Sequence, residues 1–215
     1  MSSFELFRQK MVEGQVLPHH IRNPHLIWAM RELAREKFVL PSFAKFAYTD
    51  MAAPMGDKRF LMQPHVAARL IDAGELTQHQ KVLVIGAGTG YSTALLSFSV
   101  AHVVGLEVDA ELQARAKNNL DSSQQANITW ALGPLELGWA EGAPYDVIFI
   151  EGAVDAIPAA LGAQLAEGGR ILACVLRSHG AVTEARCYRK QGQGLSYVSL
   201  FDAHVPPLGI GADVT

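Results

Sequence analysis

Three glycines at alternate positions, Gly86, Gly88 and Gly90, directly follow the apolar run Val82–Ile85, and Glu107 closes a second apolar run that begins at Val103. In an open α/β sheet, glycines at a strand-to-helix turn let backbone N–H groups approach a ligand closely. An acid at the end of the next strand accepts hydrogen bonds from ribose hydroxyls. The pair therefore points to a ligand that contains a nucleoside. The dinucleotide fingerprint Gly-x-Gly-x-x-Gly is not completed in either register. From Gly86 its third glycine falls on Tyr91, and from Gly88 it falls on Thr93. This spacing argues against a nicotinamide-dependent oxidoreductase.

The run Gly86-Ala87-Gly88-Thr89-Gly90 resembles motif I of the class I S-adenosylmethionine (SAM) methyltransferases. SAM carries no pyrophosphate, so it does not call for the further glycine. The bland alternative is a tight turn that binds nothing. The flanking strand, the following helix and the placement of Glu107 weigh against it.

The elements that must position these residues read as follows. Strands are expected at Lys81–Ile85, Val103–Glu107, Ile128–Leu132, Tyr145–Glu151 and Arg170–Leu176. Helices are expected between them at Tyr91–Ser99, Ala110–Leu120 and Ile157–Ala166. Such alternation predicts a doubly wound α/β fold with a mostly parallel, seven-stranded, Rossmann-like sheet. Two last strands, Glu184–Arg189 and Ser196–Asp202, flank the turn-rich Gln191–Gly194 and read as an antiparallel hairpin at the sheet edge. Upstream, residues 1–45 read as helical, with Asn23-Pro24 as an N-cap and first-turn proline. Phe4, Phe7 and Phe38 are expected in the core, and Trp130 and Trp139 as packing residues. Residues 46–63 read as loop or extended chain, and Pro64 opens a helix running to Ala73 with Val66, Leu70 and Ile71 inward. The expected organisation is an N-terminal extension (1–63), a SAM-binding domain (64–202) and an irregular tail (203–215).

Composition is that of an ordinary globular protein: 215 residues, 49% hydrophobic, 18% charged, net charge −3. No broad attraction to nucleic acid or to an anionic membrane is expected. No apolar run reaches the roughly 18 residues of a membrane span. The first residues lack the pattern of a secretory leader. Cys174 and Cys187 have no zinc spacing and are expected to be structural thiols in a reducing cytoplasm. His19 and His20 are adjacent, expected exposed, and have no metal-site spacing.

Beyond motif I, the chain resembles the protein-L-isoaspartate O-methyltransferase family. The matching stretches are collinear: Met11–Gln15, Ala29-Met30, Arg35–Val39, Ala47–Asp50, Pro64-His65, motif I, Gly138–Asp146, Pro158–Leu161 and Gln164–Arg170. The resemblance implies methyl transfer from SAM to the carboxylate of isoaspartyl residues in damaged proteins. It implies a cofactor site at Gly86, Ala87, Gly88, Gly90, Tyr91, Glu107 and Val108, with Gln63, His65 and Leu135 beside it. An isoaspartyl protein or peptide is the expected partner, or else an unidentified small acceptor; monomer and dimer both remain open.

Two departures stand out. Where the family has Thr-Ile-Ser-Ala-Pro-His, this chain has Phe60-Leu61-Met62-Gln63-Pro64-His65, so Met62 takes the place of a serine that lies at the transfer site. If the hydroxyl is what is missing, Met62→Ser should raise isoaspartate methylation. Where the family has Gly-Asp-Gly, near the adenine, the chain has Gly133-Pro134-Leu135, and Pro134 offers neither carboxylate nor N–H. A divergent, non-catalytic SAM-binding relative is therefore the competing reading. Glu151, where the family tends to have a small residue, ends a strand and reads either as a ligand contact or as a surface acid.

Overall fold

The computed structural model describes residues 3–56, 58–177 and 182–210. Its centre is a seven-stranded sheet of order β5-β4-β3-β6-β7-β8-β9. The strands are β3 (Lys81–Ile85), β4 (His102–Glu107), β5 (Ile128–Leu132), β6 (Tyr145–Val154), β7 (Leu165–Leu176), β8 (Thr183–Gln191) and β9 (Gly194–Ala203). The first five run parallel; β8 and β9 add antiparallel at the edge. This is the expected doubly wound fold with its terminal hairpin.

The apolar runs explain the arrangement. Val82, Val84, Val147 and Phe149 belong to one core layer, while Leu83, Ile85, Ile148 and Ile150 belong to the other. Side chains alternate across a strand, so a run without polar residues can be buried only between two covering layers. The first layer includes buried residues of α2 (Pro24–Glu32), α3 (Pro64–Asp72), α4 (Tyr91–Ser97) and α5 (Ala110–Asn119); the second includes Leu161 of α6 (Ala159–Ala163). The Asn23 side chain accepts from the His25 and Leu26 amides, so the expected cap of α2 is present.

Several expectations are refined or corrected. The strand expected over Tyr145–Glu151 runs on to Val154, so Glu151 lies inside β6 rather than ending it. The N-terminal region is helical as expected, but in short pieces. Helix α1 (Ser3–Met11) passes into a π-turn at Val12–Val16 that carries Gly14, and then into a 3-10 turn. Phe7 is 43% exposed rather than core. Residues 46–63 contain a short hairpin, β1 (Ala53–Gly56) with β2 (Arg59–Leu61). The helix expected over Ile157–Ala166 is the five-residue α6, because Tyr145 N–H donates to Gln164 O at 2.9 Å and β7 starts at Leu165. Part of the irregular tail is docked: Ala153 N–H donates to Pro206 O (2.9 Å), and Leu208 N–H donates to Ala153 O (2.7 Å). Residues 211–215 lie outside the described chain. Among the described residues no helix is long and apolar enough to cross a membrane.

Candidate functional site

The glycine turn lies where β3 ends. Gly86 and Ala87 N–H both donate to Leu106 O, at 3.0 and 2.9 Å, pinning the turn to the end of β4. Gly88 (φ +56°) and Gly90 (φ +94°) hold positive dihedrals that side chains rarely adopt. A Cβ on Gly90 would also stand 3.0 Å from Trp130 and from Ala116. Trp130 thus packs, as expected, and it walls the turn from behind.

Glu107 is fully buried beside this turn. Its Oε2 accepts from Gly88 N–H (2.7 Å), and its Oε1 accepts from Val108 N–H (2.9 Å) and Asp109 N–H (3.2 Å). Three amides hold the carboxylate at the carboxyl edge of the sheet, where open α/β folds bind ligands. Next to it, Gly133 N–H donates to Glu107 O at 3.0 Å, which brings the loop after β5 alongside. Val108 is 56% exposed and Leu132 48% exposed, while Leu135 is buried. Exposed apolar side chains beside a buried strand-end acid suit the flat face of a nucleobase.

Arg59, from β2, is a site residue that the sequence did not disclose. Its Nη1 lies 2.8 Å from Glu107 Oε1; its Nη2 lies 3.2 Å from Oε2 and 2.9 Å from Gly86 O. The space in front of the glycines is filled from the same side. A Cβ on Gly86 would meet Arg59 Nη2 at 2.7 Å and Leu208 Cδ1 at 2.8 Å; one on Gly88 would meet Met55 at 2.7 Å. The polar set and the apolar face fit the ribose and base of SAM. In this conformation, however, Arg59, Leu208 and Met55 fill the ground in front of the turn. The only sequence signal was mixed charge in the 46–63 segment, which gives no partner.

Met62 and Glu151 meet in a second cluster. Met62 N–H donates to Glu151 Oε1 (3.1 Å), and Arg35 Nη2 donates to Met62 O (2.7 Å). All three residues are buried, and the Met62 side chain is part of the core. The Met62 side chain therefore packs in the core, and Glu151 is no surface acid. Burial pushes the Glu151 carboxyl above its ordinary value. Its Oε2 and the hydroxyls of Tyr91 and Ser92 are buried without a well-formed hydrogen bond, though Ser92 is close enough to Glu151 to counter part of that rise. Tyr91 is fully buried, edge-on to Phe38 and under the Arg35 guanidinium. It supports the turn from within.

The remaining expected residues make their hydrogen bonds to groups other than Glu107. His65 Nδ1 is 2.6 Å from Asp50 Oδ1, and its ring stacks on His19 at 5.1 Å. Gln63 Nε2 donates to His204 O at 2.7 Å, tying the α3 start to the tail. Cys174 and Cys187 are free, and burial pushes the Cys174 thiol up to about 12.

Comparison with known proteins shows the family and the fold. Residues 6–203 match the family model described as protein-L-isoaspartate(D-aspartate) O-methyltransferase. The chain is 36% identical to the protein-L-isoaspartate O-methyltransferase of Trichlorobacter lovleyi over 172 residues, covering 80% of this chain and 79% of that one. It is 36% identical to that of Koribacter versatilis over 210 residues, covering 97% and 93%. A solved protein-L-isoaspartate O-methyltransferase superposes with a TM-score of 0.80 at 26% identity, covering 94% of this chain and 66% of that one. A putative Plasmodium falciparum member, solved with S-adenosyl-L-homocysteine, shares the fold at a TM-score of 0.77 and 17% identity, covering 97% and 99%.

Proposed function

Because the chain belongs to the protein-L-isoaspartate(D-aspartate) O-methyltransferase family, we propose that it binds SAM at the glycine turn and Glu107. We propose further that it methylates the side-chain carboxylate of isoaspartyl residues in proteins or peptides. One observation carries this reading: a fully buried strand-end carboxylate, held by the Gly88, Val108 and Asp109 amides, faces the glycine turn. That arrangement suits a ribose diol, and the apolar Val108 and Leu132 suit the base.

When bound, SAM supplies a methyl group on a positively charged sulfur. The acceptor carboxylate is already ionised at neutral pH, so the chain needs no general base. What the residues contribute is position and exclusion of water. Glu107 and the turn hold the nucleoside end. Gln63 grips the tail at His204 O and so fixes it to the start of α3. The free thiols of Cys174 and Cys187 suit a reducing compartment, which supports a cytoplasmic location.

A second reading, a relative that keeps the fold without the reaction, is favoured by two observations. Met62 is buried at the family's serine position, and Arg59 already lies on Glu107. Incubation with methyl-labelled SAM and an isoaspartyl peptide, with its aspartyl isomer as control, separates the two. Label transferred to the isoaspartyl peptide alone supports the enzyme. Bound SAM with no transfer supports the second reading.

A further inference from the structure

A carboxylate offers about four acceptor positions. Glu107 here receives five N–H contacts, three from backbone amides and two from Arg59. No acceptor position remains for a ribose hydroxyl while the guanidinium stays. The apolar half of the same space is taken by Leu208, which packs against Gly86 and Gly152. Both intruders come from segments tied down elsewhere. Leu40 N–H donates to Pro54 O at 2.8 Å behind the β1–β2 hairpin. The tail is held at His204 by Gln63 and along β6 by the two bonds to Ala153. Val205 and Ile210, on either side of Leu208, are buried.

We propose that Arg59 and Leu208 form an internal plug of the glycine turn, so that a nucleoside ligand enters only when the guanidinium leaves Glu107 and the tail lifts from Gly152. This rests on the SAM reading above and adds its regulation. The plug substitutes for the ligand: Arg59 neutralises the buried acid, and Leu208 covers the glycines. Closure lowers the apparent affinity by the fraction of molecules that are open. Anything that draws the tail away, including contact of residues 204–210 with the protein being methylated, would raise cofactor affinity.

The test is titration of the full chain with S-adenosylhomocysteine, comparing wild type with Arg59→Ala and Leu208→Ser. Either variant should bind about tenfold tighter or more. Unchanged or weaker binding in both overturns the plug, and weaker binding in Arg59→Ala makes Arg59 part of the ligand site. Should Arg59→Ala fail to fold, Leu208→Ser decides alone, since it leaves the ion pair in place. Should no variant bind, the SAM reading fails, and hydrogen exchange at the Gly88 amide judges the plug separately. Exchange at least tenfold faster in a folded variant supports it, and an unchanged rate overturns it.

Discussion

Arg59 and Glu107 are 48 positions apart in sequence and form a two-pronged ion pair, with Nη1 2.8 Å from Oε1 and Nη2 3.2 Å from Oε2. The Glu107 side chain is fully buried and that of Arg59 is 11% exposed. Removing one partner of such a pair leaves the other without compensation, which costs about 3–5 kcal/mol. Glu107→Ala should lose that much in urea unfolding, because it strands a guanidinium and three amides. Arg59→Ala should lose less, since those amides still hold the carboxylate. Equal losses would mean that the amides contribute little.

The turn gives a second expectation. Gly168 (φ +72°) has nothing within 4 Å of an added Cβ, so Gly168→Ala should cost only the dihedral, about 1–2 kcal/mol. Gly90→Ala meets Trp130 and Ala116 at 3.0 Å as well and should cost a further 1–3 kcal/mol or so. Thermal unfolding of the two variants would measure the difference. Similar losses would show that Trp130 gives way freely.

Glu151 makes stability depend on pH. Its carboxyl is raised from an ordinary value of 4.5, chiefly by burial, so the folded state binds the proton more tightly than the unfolded state does. The contribution is present below about pH 4.5 and is lost as pH rises through the raised value. Glu151→Gln keeps an oxygen for the Met62 amide and cannot ionise. It should flatten this part of the profile and equal or exceed wild-type stability at neutral pH. A variant less stable than wild type at neutral pH would mean that Glu151 is charged and well compensated in the fold.

Met62→Ser tests the family's serine position. The Met62 side chain lies in the core, so truncation should cost about 2–5 kcal/mol. No gain in methyl transfer to an isoaspartyl peptide is expected, contrary to the expectation from the motif alone. A gain would show that this position faces the acceptor after all.

Much of the parallel sheet was legible because its strands are mostly apolar runs between turn residues. Lys81–Ile85 and Ile128–Leu132 were read with the bounds they have. The pairing of the glycine turn with Glu107 was legible because adjacent parallel strands end together. Arg59 was not legible. Its strand has three residues, the hairpin carries Pro54 and Gly56, and neither has a periodicity to read. Leu208 was hidden for a similar reason, since a Pro- and Gly-rich tail gives no sign of where it docks. Glu151 was ambiguous because an acid read as ending a strand looks alike whether it faces solvent or a backbone amide; β6 runs on to Val154, which leaves Glu151 inside the strand and bonded to the Met62 amide.

The central claim is that the glycine turn and Glu107 form a SAM site. Calorimetric titration with SAM, on wild type and on a folded Glu107→Ala variant, tests it most directly. Saturable one-to-one binding by wild type, lost in Glu107→Ala, is the expected result. Binding that survives the loss of Glu107, or no binding by a folded wild type and a folded Arg59→Ala variant alike, would contradict it.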